Sequence, residues 1–284
     1  MSAATDVGFL RRLWRTRNGR VGLIIVTLLG LTALLALLGL TPQPPRAQNP
    51  GQVFTAPSSA FLLGSDQFGR DVLSRIMQGV LASLRVSITA VAFASLIGCS
   101  LGILSGYLGG WADRVVGRLT DVLFAFPAIL LALVIVAALG RGWVNTALAI
   151  GVVYTPIFVR VSRGPVLSLR EMDFIRAAVV LGFSRTRIIL RHVLPNVTAP
   201  IIVQMTLALS WGILTESGLS FLGLGTVPPD ASLGLMISES RNVANRGWWL
   251  LAFPSATLVV SVIGLNLLGD GIRDVLDPTR SDDR

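Results

Sequence analysis

Hydrophobic positions in this chain gather into six runs, at residues 21–40, 84–110, 117–139, 143–162, 197–219 and 248–270, separated by stretches where polar residues, glycine and proline collect. A helix needs roughly 20 residues to cross a hydrocarbon core about 30 Å thick, and the runs are of that order. Apolar residues follow one another in them without the alternation of barrel strands, so the pattern predicts helices. The expected fold is an all-α integral membrane protein with six transmembrane helices.

The polar stretches refine this picture. Residues 41–83 open with Thr41-Pro42-Gln43-Pro44-Pro45, a linker by composition, and continue through Leu63-Gly64-Ser65-Asp66-Gln67-Phe68-Gly69-Arg70-Asp71, where turn residues mix with charges. An ordered surface segment is predicted there, with Asp66, Arg70 and Asp71 in a local charge network. The run at 21–40 follows Arg11, Arg12, Arg15, Arg17 and Arg20. It is too long for a secretory-signal core and no small-x-small cleavage site follows it, so it is expected to be retained as the first helix.

Charge then sets orientation. Arg114 and Arg118, the series Arg160, Arg163, Arg170, Arg176, Arg185, Arg187 and Arg191, and the terminal Arg273 and Arg280 fall on one side of a six-span arrangement. On the other side, the short turn holds Arg141 alone and the loop at about 220–247 holds Arg241 and Arg246 offset by Asp230 and Glu239. The positive-inside bias therefore predicts both termini in the cytoplasm.

Composition places the chain in lipid, with 52% hydrophobic and 14% charged residues and a mean hydropathy of +0.72. All 24 basic residues are arginine. Without lysine there is no Walker A loop, whose lysine contacts the nucleotide phosphates, so ATP, if used, is bound by another chain. A net charge of +9 does not point to nucleic acid, because the arginines are dispersed among the loops. Cys99 can form no internal disulfide and reads as a small core hydrophobe. His192 has no cysteine, histidine or carboxylate near it at ligand spacing, so it reads as a polar loop residue and no metal site is expected.

The loop at 163–196 is the most informative polar stretch. Ser168-Leu169-Arg170-Glu171 has the form of a capping box, predicting a helix that starts at Ser168 with Glu171 answering the cap. Phe174, Ala178 and Leu181 then fall on one face. Gly182 is a natural C-terminal cap, and Ser184 can open a second helix that must end before Pro195. The plain alternative is an amphipathic pair lying on the bilayer surface.

Ala177-Ala178-Val179-Val180-Leu181-Gly182, continued to Arg191-His192-Val193-Leu194-Pro195-Asn196, resembles the EAA loop of binding-protein-dependent ABC importer permeases. The resemblance is nearest to the second membrane subunit of dipeptide and oligopeptide transporters. It extends through Leu63-Gly64-Ser65-Asp66, Gly69-Arg70-Asp71, Ser74-Arg75, Asp121, Phe126-Pro127 and Glu216-Ser217-Gly218-Leu219-Ser220-Phe221-Leu222-Gly223-Leu224-Gly225. One departure stands out: Arg176 occupies the position where the motif usually begins with glutamate, leaving in doubt any salt bridge that glutamate makes to an ATPase.

The resemblance implies a type I importer permease (MetI-like) fold. In its terms residues 1–20 are a cytoplasmic segment, 21–40 the first helix, 41–83 extracytoplasmic, 84–270 a five-helix permease core holding the 163–196 loop, and 271–284 a cytoplasmic tail. The implied partners are a homologous second permease, two ATP-binding subunits (a homo- or heterodimer) that hold ATP and Mg, an extracytoplasmic solute-binding protein, and the lipid bilayer of the bacterial inner membrane. Ser168, Glu171, Phe174, Arg176, Ala177, Ala178, Gly182, Arg187 and Pro195 would form the ATPase-coupling loop. The cargo implied is short peptides, with nickel, glutathione and other peptide-like cargo as alternatives within the same group.

Glu216 has two readings. It can line the transport path, or, as favoured, it can cap the turn at Ser217 or pair with an arginine. Arg85 is expected to snorkel to the interface, and Asn266 and Asp270 to be interfacial. Two other classes fit poorly. A secondary transporter should carry ionisable residues at mid-membrane, which these runs nearly lack. A membrane enzyme needs a clustered catalytic set, and the single histidine and cysteine lie far apart.

Overall fold

The computed structural model describes residues 3–276; the rest of the expected tail, Arg280 included, lies outside the described residues. The regular elements of the described chain are helices: α1 (Ala3–Arg15), α2 (Arg17–Leu37), α3 (Val72–Leu108), α4 (Gly110–Phe124), α5 (Ala128–Leu139), α6 (Trp143–Arg170), α7 (Asp173–Val180), α8 (Arg185–Ile188), α9 (Leu194–Phe221), α10 (Leu233–Ser240) and α11 (Trp249–Leu276), with residues 38–71 mostly turns and irregular chain. A π-helical segment, Ile189–Val193, joins α8 to α9 without a break.

Among the described residues, five helices are long and apolar enough to cross a membrane: α2, α3, α6, the run Arg185–Phe221, and α11. The sixth element is broken. α4 and α5 meet at 92°, where the expectation was one continuous helix over 117–139. Pro127 has no N–H to donate and disfavours helical backbone at Phe126, so the chain turns there and Pro127 becomes the N-cap of α5. α4 carries Asp113, Arg114, Arg118 and Asp121 and buries only Thr120, whereas α5 is apolar throughout.

The bundle is assembled through small residues. α3 and α6 run parallel and in close contact, with Ala90, Ala94, Gly98, Gly102 and Gly106 of α3 repeating every fourth residue along the seam. A side chain at Gly98 would come within 2.6 Å of the Thr155 carbonyl oxygen. Close backbone approach of this kind drives helix association where the hydrophobic effect is weak. α2 packs antiparallel on α11 in the same way, Gly22 lying on the backbone of Leu268 and Gly264 under Ile25. α9 fills the space between α3, α6 and α11. Asn266, expected at the interface, instead accepts a 2.7 Å hydrogen bond from Ser210 between α9 and α11.

Other boundaries moved. α3 begins at Val72 rather than near 84, because the Asp71 carboxylate caps it by accepting from the Ser74 N–H at 2.9 Å. α6 runs on to Arg170, well past 162. Helix α1 was not foreseen within residues 1–20. One end of the bundle holds α7, α8 and the start of α9; the opposite end holds residues 41–71 and α10.

Candidate functional site

At the first end the chain makes an elbow. Ser168 and Glu171 do not start a helix: Ser168 lies in the last turn of α6 and Glu171 is its C-cap. The apolar face of α6, with Val166 and Leu169 buried, carries that helix on through the expected start. α7 starts at Asp173 after Met172, which offers no side-chain cap.

The end of α7 is built as expected. Gly182 takes φ +77°, a left-handed conformation, and three hydrogen bonds close the turn: Leu181 N–H to Ala177 O at 2.9 Å, Gly182 N–H to Val179 O at 3.0 Å and Phe183 N–H to Ala178 O at 3.1 Å. This is a Schellman motif. Ser184 then caps α8 by accepting from the Arg187 N–H. The second helix, expected to stop before Pro195, continues into α9. The π-helical turn relaxes the ladder where Pro195, in the first turn of α9, lacks a donor.

The face assignment also changes. Ile175 and Ala178 are buried against Ile103, Val166, Leu169, Ile188 and Val193, while Phe174 and Leu181 point outward. Val180 is 86% exposed and Leu181 72% exposed, at the apex of the elbow. Arg176 is exposed and pairs with Glu171 at 2.9 Å, and Arg170 reaches the same carboxylate at 3.3 Å. Arg176 first and Arg170 second hold the Glu171 carboxyl below the usual carboxylate range. The Arg187 guanidinium lies 4.5 Å from the Phe183 ring centroid. His192 stacks on Phe183 at 6.3 Å.

α4 braces this end. Asp113 pairs with Arg163 of α6 at 2.5 Å and Asp121 with Arg160 at 2.9 Å. Arg170 Nη1 donates to the Gly106 carbonyl at 3.4 Å.

The opposite end holds a buried charge cluster. Asp66 accepts from Arg70 Nε at 2.6 Å, and Glu239 of α10 faces both Arg70 at 3.3 Å and Arg75 at 3.1 Å. Asp66 and Arg70 pair as predicted, but Asp71 accepts from Ser74 at the start of α3 instead of joining them, and the cluster is enclosed rather than on the surface, with Asp66, Arg70 and Arg75 all buried. It also recruits α10, which sequence reasoning had not connected to it. Arg46 and Asp230 form an exposed pair nearby.

Glu216 is fully buried. Its carboxylate accepts from Ser83 of α3 at 2.6 Å and from Ser220 at 2.7 Å, with Ser217 at 3.4 Å. No arginine pairs with it among the described residues, so the expected ion pair is replaced by hydroxyl donors. Within this chain Glu216 is enclosed and its carboxyl is held by hydroxyl groups. Ser83 was missed, because a lone serine just before the apolar run at 84–110 carries no periodic signal. Arg85 lies over the Trp143 ring at 3.9 Å. No group of three or more His, Cys, Asp or Glu residues suited to a metal ion occurs among the described residues.

Residues 98–282 match the family described as binding-protein-dependent transport system inner membrane component. The chain is 43% identical over 268 residues to the dipeptide transport system permease protein of Alkalihalophilus pseudofirmus, covering 94% of this chain and 88% of that one. It is 37% identical over 278 residues to the di/tripeptide transport system permease protein of Pseudomonas aeruginosa, covering 95% and 92%. The glutathione transport system permease protein of Pectobacterium atrosepticum is 43% identical over 222 residues, covering 78% and 74%. Among solved structures, a chain of the MetNI methionine ABC transporter in its inward-facing conformations superposes with a TM-score of 0.58 at 18% identity, over 71% of this chain and 96% of that one. That last likeness is one of fold.

Proposed function

From the premise that the chain belongs to the family of binding-protein-dependent transport system inner membrane components, and is thus a multi-pass inner-membrane permease subunit of an ABC importer, we propose that its cargo is short peptides. The relatives named for dipeptides, for di- and tripeptides and for glutathione support this reading. ABC importers of this family work with an ATPase and a binding protein. The finer assembly proposed here is one homologous second permease beside this chain and two ATP-binding subunits that hold ATP and Mg. The elbow end, with α7 and Gly182, faces the cytoplasm.

The observation that carries the mechanism is the apex of the elbow. Val180 and Leu181 stand exposed beside Phe174 and Ala177 on a helix whose other face is locked into the chain's own core. This half-buried, half-open helix docks on an ATP-binding subunit. A closure of the ATPases then moves α7 as a rigid piece, and the unbroken run Arg185–Phe221 passes the displacement into the membrane. Rigidity is needed because a slack joint would transmit no bias between the inward-open and outward-open states.

The test separates the two faces of α7. Ala177→Asp and Val180→Gln place polar groups on the open face, where burial in a partner interface would leave them without full solvation. Both variants should insert normally, yet co-purify less ATPase and take up less radiolabelled dipeptide. Wild-type assembly and uptake in both would sink the docking role. Ala178→Asp is no test of docking, because Ala178 is buried within the chain.

A further inference from the structure

Helix α1 is held in one orientation. Thr16 accepts from the Gly19 N–H at 3.1 Å and donates to the Leu13 carbonyl at 2.9 Å, which fixes the turn into α2. Leu13 is buried in a notch where Gly19 of α2 and Gly271 of α11 come together, and Phe9, one turn earlier, is half-buried beside it. With Leu13 facing inward, Leu10 and Trp14 lie on a neighbouring flank, 54% and 49% exposed. Arg11, Arg12 and Arg15 come next round the helix, and Arg17 and Arg20 follow in α2, all exposed.

We propose that α1 lies in the headgroup layer of the leaflet at the elbow end and binds anionic phospholipid there. The apolar flank and the cationic flank are adjacent, as an interfacial helix requires. Trp14 suits the boundary between acyl chains and headgroups. The guanidinium groups of Arg11, Arg12 and Arg15 match phosphate by charge and by paired donors. The chain continues into α2, where Val21, Ile24, Leu28 and Leu31 are exposed on a helix long and apolar enough to cross a membrane, so α1 adjoins the end of a span. Through the Leu13 notch, lipid bound at α1 steadies the ends of α2 and α11.

The test uses the assembled importer in nanodiscs of phosphatidylglycerol or of phosphatidylcholine alone. A nitroxide is placed at position 10 (Leu10→Cys, Cys99→Ser). In phosphatidylglycerol it should be relaxed by oxygen and shielded from an aqueous nickel chelate, with the shielding reduced in phosphatidylcholine. Native mass spectrometry should find phosphatidylglycerol retained by the parent, and at least roughly tenfold less by Arg11→Gln/Arg12→Gln/Arg15→Gln. Millimolar inorganic phosphate should not restore the shielding. Equal exposure to the chelate in both lipids would overturn the proposal. So would shielding that depends on the ATPase subunits and ignores lipid composition, since the flank would then belong to a protein partner. Neither readout depends on what the importer carries.

Discussion

At single residues the consequences are sharpest where one atom decides the local state. Gly182 adopts φ +77° with nothing near the place a Cβ would occupy, so Gly182→Val has no clash to confuse it. Its cost is the left-handed backbone alone, roughly 1–2 kcal/mol. Expected are normal membrane insertion, a frayed elbow seen as faster amide exchange at Leu181 to Phe183, and reduced dipeptide uptake. Glu216 offers a second case. Replacing it with alanine strands the hydroxyls of Ser83 and Ser220 inside the protein, for a loss of about 1–3 kcal/mol. Glu216→Gln keeps an acceptor and should lose less. Thermal unfolding of the purified protein ranks the two, and equal stability of both variants would contradict this assignment. Arg176 shows how a motif position is rebalanced. Its charge is met within the chain by Glu171, whose carboxyl is held below the usual range. With a folded pKa below the unfolded one, that pairing is present at neutral pH and fades as pH falls through the folded value. Both groups are exposed, so it is worth little and salt screens it. Arg176→Glu should accordingly reduce uptake less than Gly182→Val.

At the scale of elements, the seam between α3 and α6 has the least room. Gly98, Gly102 and Gly106 meet α6 backbone or side chains along its length, and a leucine at Gly98 must push the helices apart. Overpacking costs typically 1–3 kcal/mol, so Gly98→Leu should lower the melting temperature and the yield of assembled complex in detergent. Gly117→Leu, at a glycine with no neighbour within 4 Å, is the control and should change neither. The α10 end follows a different logic, in which buried charges fix position. Arg75 is 1% exposed and shares Glu239 with Arg70. Glu239→Ala removes the only acid that α10 contributes to this cluster and leaves two arginines on Asp66, a loss in the range of about 3–5 kcal/mol for breaking a buried pair. Proteolysis near Arg241 in the purified protein should then accelerate, and an unchanged rate would show that α10 is held by its apolar contacts alone.

For the whole molecule, the elbow, the start of α2 and the end of α11 share one end of the bundle, and residues 41–71 with α10 share the other. Single cysteines at Asn18, Gln48, Arg185 and Asn242 in a Cys99→Ser background place both ends relative to the membrane. In intact cells an impermeant thiol reagent should label Gln48 and Asn242 and spare Asn18 and Arg185. Labelling at Arg185 without labelling at Asn242 would invert the topology. The isolated chain should neither bind nor hydrolyse ATP, since it has no lysine for a phosphate loop, and equilibrium dialysis with labelled ATP checks this directly.

The number of apolar runs, the absence of a nucleotide loop and the Gly182 turn were determined by the sequence alone, because each depends on local properties: residue hydropathy, one missing residue type, and one backbone conformation that glycine tolerates. The start of α3 at Asp71 was likewise written in a local cap, though the hydrophobic run obscured it. What belonged to the tertiary structure was everything that rests on distant partners. Ser168 and Glu171 look like a capping box until the buried face of α6 carries that helix past them. Ala178 and Leu181 share a helical spacing, yet only the core around Ile175 and Ile188 decides which of them faces inward. Glu239 joins Arg70 and Arg75 across more than 160 residues of chain, and Glu216 finds its donor on α3 at Ser83, because a buried polar group must be satisfied by whatever the packing brings within reach. Local pattern specifies which segments become helices; the satisfaction of buried polar groups and the fit of small residues specify how they meet.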